Sequence, residues 1–99
     1  MTVWSVYIIR CSDDSLYTGI ATDVARRFDE HQAGNIGSKY LRGRAPLELV
    51  FEQQVGDRSL ASKIEHRIKK LPRSDKVKIV GLPSIVGEMI QDIAEESPS

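Results

Sequence analysis

Two short apolar runs separated by a cysteine and four polar residues constrain this chain more than anything else in it. VWSVYIIR (Val3–Arg10) and LYTGIA (Leu16–Ala21) are rich in β-branched and aromatic residues, and Ser12-Asp13-Asp14-Ser15 between them is turn chemistry. The arrangement predicts an antiparallel hairpin, and the loop length decides which side chains share a face. A two-residue loop at Asp13-Asp14 would put Tyr7 and Tyr17 on opposite faces. A three-residue loop, Ser12-Asp13-Asp14, sets Tyr7 opposite Gly19 and Ile9 opposite Tyr17, so both phenols leave one face. That loop places its last residue in the left-handed region, which Asp14 tolerates better than most non-glycine residues. The three-residue loop, positive φ at Asp14 and both phenols on one face are therefore the expected geometry.

The rest of the chain reads as helices with one more strand. Thr22 or Asp23 can cap a helix running to about Ala33, with Val24, Ala25 and Phe28 as a narrow apolar stripe and Gly34 as its stop. Asn35 to Pro46 contains glycine and basic residues and reads as a loop or short irregular helix. LELVFEQQV (Leu47–Val55) reads as a third strand of imperfect alternation. Asp57 or Ser59 can cap a second helix ending near Leu71, in which Leu60, Ile64, Ile68 and Leu71 follow helical spacing. After Pro72, Ser74 can cap a helix carrying Val77, Ile79 and Val80. Ile85 to Glu95 forms a last amphipathic helix with Val86, Met89, Ile90 and Ile93 on one side. The fold class is α+β: a small three-stranded antiparallel sheet flanked by helices in β-β-α-β-α-α order, with an extra C-terminal helix. With 99 residues the chain makes one domain, divided here into residues 1–82 and a C-terminal helix and acidic tail, 83–99.

Several function classes recede. No apolar run approaches the ~20 residues that span a bilayer, and no secretory signal is evident. Cys11 is the only cysteine, so an internal disulfide and a multi-cysteine metal site are excluded, and the expected setting is cytoplasmic. No Gly-rich phosphate loop or paired-histidine metal motif is present. Fourteen basic and fourteen acidic residues give zero net charge, which by itself argues against nucleic acid. The distribution argues the other way: Arg26–Arg44 and Arg58–Lys78 are rich in Lys and Arg, and the tail carries Glu88, Asp92, Glu95 and Glu96 with no basic residue. Arg27 and His31, four apart on one helix face, make a workable phosphate-binding pair. From the residues alone the reading is an α+β domain with a basic face able to bind phosphate.

The order of the elements adds more. Ser5-Val6-Tyr7 on the first strand, Tyr17-Thr18-Gly19 on the second, Arg27 and His31 on the following helix, and Glu65 on a later one resemble the GIY-YIG nuclease superfamily. Ser5 stands in place of the first glycine and Thr18 in place of the middle aliphatic. The similarity covers about Val3 to Val80 and is greatest to small stand-alone bacterial YhbQ-like proteins. It implies a divalent-metal-dependent endonuclease hydrolysing phosphodiester bonds in DNA, including branched or damaged structures in DNA repair. It also implies catalytic roles for Tyr7, Tyr17, Arg27, His31 and Glu65, with both phenols on a face shared with Arg27 and Glu65, and with Glu65 holding a single Mg²⁺ or Mn²⁺ that binds weakly without substrate. Lys39, Tyr40, Arg42, Arg44, Lys69 and Lys70 would contact the DNA backbone, giving recognition of backbone and shape with little sequence specificity. Two alternatives stand beside this: a non-catalytic nucleic-acid-binding module of the same fold, and an interaction domain that docks a protein partner through the C-terminal helix.

Overall fold

The hairpin tip closes as its residues dictate. In the computed structural model, which describes residues 2–33, 44 and 46–96, the Cys11 N–H donates to the Ser15 carbonyl and the Asp14 N–H to the Cys11 carbonyl, both at 2.9 Å. Asp14 has φ 69°. The Asp13 carboxylate accepts from the Ser15 N–H at 3.1 Å and from its hydroxyl at 2.6 Å, an aspartate turn that replaces lost backbone partners. Arg73 reaches the tip from a distant helix, donating to the Asp14 carbonyl at 2.8 Å and its carboxylate at 3.0 Å.

This loop sets the register of β1 (Trp4–Arg10) and β2 (Leu16–Ala21), pairing Tyr7 with Gly19 and Ile9 with Tyr17. β3 (Glu48–Gly56) pairs antiparallel with the other side of β1, giving the sheet order β2-β1-β3. Its pairing slips between Ile8 and Ile9: Leu49 lies opposite Ile9, and Phe51 opposite Ile8. The bulge sends two odd-numbered residues to opposite faces, so the imperfect alternation of this segment comes from an extra residue in the ladder.

Asp23 opens α1 (Val24–Ala33), its carboxylate accepting from the Arg26 N–H at 3.1 Å. Asp57 is the cap of α2 (Arg58–Lys69), accepting from the Leu60 N–H at 2.8 Å. α2 ends two residues before the expected Leu71. α3 (Arg73–Gly81) begins at Pro72, not at the expected Ser74 cap. The Pro72 carbonyl accepts from the N–H groups of Asp75 and Lys76, and its ring holds φ at −64°, so the turn forms without a side-chain cap. α4 (Ser84–Glu96) is the last element among the described residues. The glycine stop expected at Gly34 lies outside the described residues, as does the loop of 35–43.

The sheet separates two apolar layers. Val6, Ile8 and Phe51 pack with Ile64 and Ile68 of α2, Ile79 of α3, and Val86 and Ile93 of α4. On the other face Tyr7, Ile9, Cys11, Ala21 and Leu47 pack with Val24 of α1, with Tyr17, Phe28 and Leu49 at their margin. Ile8, Ile64, Ile68, Ile79 and Val86 are fully buried. No helix among the described residues is long and apolar enough to cross a membrane.

Candidate active site

The α1 face carries the aromatic residues singled out in the sequence. Tyr7 is 2 % exposed, and its ring lies across β2 above Gly19. A Cβ at Gly19 would stand 2.5 Å from the phenol oxygen and 2.6 Å from the ring carbon bearing it. The glycine is thus the notch in which the phenol rests. Tyr17, two residues before Gly19 on β2, stands with its ring centroid 6.4 Å from that of Tyr7. His31, in the last turn of α1, completes the group. Its Nε2 lies 3.3 Å from the Tyr7 hydroxyl, and its ring meets Tyr17 edge-on at 5.8 Å. No described residue partners the buried Nδ1 of His31.

The electrostatics keep this cluster uncharged. The Tyr7 phenol is pushed well above its ordinary range by burial first and by Tyr17 second; Arg27 opposes this, and Glu65 adds to it. Arg27 therefore favours the phenolate, as its charge requires, but desolvation outweighs it. The His31 imidazolium is disfavoured by burial and by Arg27, with Glu30 acting in the opposite sense. A neutral imidazole thus stands against a neutral phenol, and Nε2 accepts the Tyr7 proton when Nδ1 carries the hydrogen.

Arg27 is partly exposed, with Nη1 4.0 Å from the Glu30 carboxylate. Glu30 also lies 3.9 Å from Arg26. Sequence reasoning passed over Glu30, although its spacing of three and four from two arginines was a usable signal. Glu65 requires one correction. α2 packs on the opposite face of the sheet from the phenols, since Ile64 and Ile68 belong to the other layer. Glu65 sits on the flank of that stripe with its side chain 21 % exposed, 3.4 Å from the Lys69 ammonium. Its charge still reaches Tyr7, so the carboxylate approaches the cluster from the neighbouring layer.

The basic residues expected to hold DNA divide three ways. Lys39, Tyr40 and Arg42 lie outside the described residues. Arg44 forms an ion pair with Asp13 on the hairpin tip, and Lys69 pairs with Glu65. Lys70 is exposed just past α2. The described residues contain no cluster of three metal-ligating side chains. Glu65 offers one hard carboxylate donor, which suits a cation such as Mg²⁺ that keeps most of its water and takes further oxygens from a phosphate.

The family model of the GIY-YIG catalytic domain matches residues 3–78. The UPF0213 protein YhbQ of Salmonella typhimurium (strain LT2) is 56% identical over 80 residues, which cover 81% of this chain and 79% of that one. YhbQ of Escherichia coli O1:K1 / APEC is 45% identical over 93 residues, 94% of this chain and 92% of that one. Among solved structures, the UPF0213 protein BH0048 of Bacillus halodurans superposes with a TM-score of 0.53 at 41% identity, covering 81% of this chain and 84% of that one. EF2693 of E. faecalis gives 0.60 at 32% identity, covering 86% and 90%. The chain belongs to the GIY-YIG catalytic domain family.

Proposed function

We propose that this protein is a divalent-metal-dependent endonuclease that hydrolyses phosphodiester bonds in DNA, with Tyr7, Tyr17, Arg27, His31 and Glu65 as its catalytic residues. The observation that carries the reading is the Tyr7–His31 contact at 3.3 Å inside an aromatic cluster, with Arg27 and Glu65 both close enough to bias the phenol.

Hydrolysis needs a deprotonated water, stabilisation of charge on the phosphate and a stabilised leaving oxygen. A free Tyr7 phenolate is too costly at this site to be the resting base. The neutral His31 removes the need for one. The Tyr7 oxygen takes a proton from the attacking water as its own proton passes to His31 Nε2, leaving a neutral phenol and an imidazolium. The water oxygen bonds to phosphorus, the bond to the leaving oxygen breaks, and solvent protonates that oxygen. Arg27 forks onto the phosphate oxygens. Tyr17 holds the imidazole edge-on, in line with Tyr7. Glu65 would hold Mg²⁺ or Mn²⁺, which supplies Lewis-acid stabilisation of the phosphate charge when bound. Lys69 must then release the carboxylate, an exposed-side ion pair costing about 0.3–0.5 kcal/mol to break.

The basic segments favour backbone recognition with little sequence specificity, on duplex, branched or damaged DNA. A cytoplasmic setting accords with one unpaired cysteine, buried at the hairpin end. The α4 helix contributes Val86 and Ile93 to the core, which favours a structural role for it over docking of a protein partner. The raised Tyr7 phenol is the one observation that favours a non-catalytic DNA-binding module instead. A cleavage panel of single-stranded, duplex, flap and four-way DNA with Mg²⁺ or Mn²⁺ separates the two. Metal-dependent cleavage by the wild type, lost in a folded Glu65→Ala variant, is the expected result. Binding without cleavage on every substrate would leave the module reading.

A further inference from the structure

α2 presents a second surface that the cleavage chemistry does not use. A helix turns about 100° per residue. With Ala61, Ile64 and Ile68 directed inward, the residues Arg58, Ser59, Ser62, Lys63 and His66 are left on the outward side, where they line a shallow groove. All five are exposed. The lining holds two cationic side chains, an imidazole and two hydroxyls, and no carboxylate. Among the described residues neither Lys63 nor His66 has an ion-pair partner. The nearest acids on this stretch are occupied: Asp57 caps α2, and Glu65 faces the flank toward the cluster and holds Lys69.

The groove is continuous with the candidate active site through one residue. The Arg58 guanidinium stacks 5.4 Å from the Trp4 ring centre. Trp4 also lines an adjoining depression with Arg26, Arg27 and Glu30 at the start of α1. Asp23, in the same depression, spends its carboxylate on the Arg26 N–H, and Glu30 lies against the two arginines. A chain of cationic and aromatic groups thus runs from Arg27, past Trp4, to Arg58 and along α2 to His66. From Arg58 to His66 the helix rises about 12 Å, the length of three to four nucleotides of one duplex strand at about 3.4 Å each.

We infer that the outward face of α2, joined to the site by Trp4, is the track that grips the DNA backbone flanking the cleaved bond, through Arg58, Lys63 and His66. This rests on the nuclease reading for its ligand and adds residues outside the expected backbone contacts Lys39, Tyr40, Arg42, Arg44, Lys69 and Lys70. Phosphates are the ligand that cations and hydroxyls in regular array are suited to hold.

Trp4 is the only tryptophan, so its emission reports on the junction between this track and the site. The experiment titrates a labelled DNA duplex into the Glu65→Gln protein, which keeps the groove and removes cleavage, following both Trp4 emission and anisotropy across a salt series. DNA should change the Trp4 emission. The Arg58→Ala/Lys63→Ala/His66→Ala variant should bind more weakly, with a salt slope lower by about two for the two cationic side chains removed, while Arg10→Ala, at the other end of β1 from Trp4 and paired with Glu48, leaves the slope unchanged. All three altered residues are exposed, and thermal melting verifies that the variant folds. An unchanged slope in the triple variant, with the wild type still cleaving DNA, overturns the track and leaves the nuclease reading standing. Tighter binding of polyglutamate than of DNA would give the groove to acidic polypeptides and also overturn it. A wild type that binds no DNA would remove both.

Discussion

Gly19→Ala tests how closely the fold and the candidate chemistry are joined. The added Cβ would stand 2.5 Å from the Tyr7 oxygen, where ordinary contact begins at 3.4 Å. The phenol must therefore retreat by about one ångström. Its bond to His31 is already long at 3.3 Å, and such a retreat takes it beyond hydrogen-bonding range. Misplacement of this size costs about 10²-fold in rate. The cost to the fold is smaller. Overpacking costs about 1–3 kcal/mol, and the displaced atoms are the far end of one side chain, which places the loss near 1 kcal/mol. In a domain of this size that lowers Tm by about 4–8 °C. Single-turnover DNA cleavage and thermal unfolding measure the two effects separately. A second background sharpens the test. With Tyr7→Ala already in place nothing occupies the notch, and Gly19→Ala should then be neutral or stabilising by about 0.5 kcal/mol, because glycine is unfavourable within a strand. Wild-type cleavage by Gly19→Ala, or equal destabilisation in both backgrounds, would refute the packing argument.

Two further perturbations follow from the same structure. Burial and Arg27 hold the folded His31 below its ordinary 6.5, so the unfolded chain takes up that proton first as pH falls. Wild-type stability should therefore drop relative to His31→Gln below about pH 6.5 and run parallel to it above; melts from about pH 8 to about pH 5 check this, and parallel curves throughout would contradict it. Ile93→Ala in α4 should cost about 2–3 kcal/mol in urea unfolding, because Ile93 is only 7 % exposed and sits in the core shared with β1 and α2; a loss below about 0.5 kcal/mol would detach α4 from the domain.

The hairpin was legible because its determinants are local. Two aspartates and two serines admit few turns, and the three-residue loop fixes the parity of the tyrosines. β3 was less so: Leu49 and Phe51 look like same-face residues until the bulge is known, and the bulge depends on pairing with β1. Ser74 looked like a cap because it is a good capping residue, but Pro72 supplies the required backbone geometry two residues earlier. At the site, the shared helix face of Arg27 and His31 followed from their spacing. The ionisation of Tyr7 did not, because the sequence shows its charged neighbours and conceals its burial, which is the larger effect. The layer that carries Glu65 was hidden for the same reason: the apolar stripe of α2 shows which side is buried and is silent on which face of the sheet receives it.

The most direct measurement is single-turnover DNA cleavage by Tyr7→Phe. The substitution keeps the ring that fills the notch above Gly19 and removes only the hydroxyl that meets His31. If that hydroxyl carries the proton from water to His31, the rate should fall by about 10²–10⁴-fold while the melting temperature stays close to that of the wild type. Cleavage by Tyr7→Phe at the wild-type rate would contradict the account at its centre.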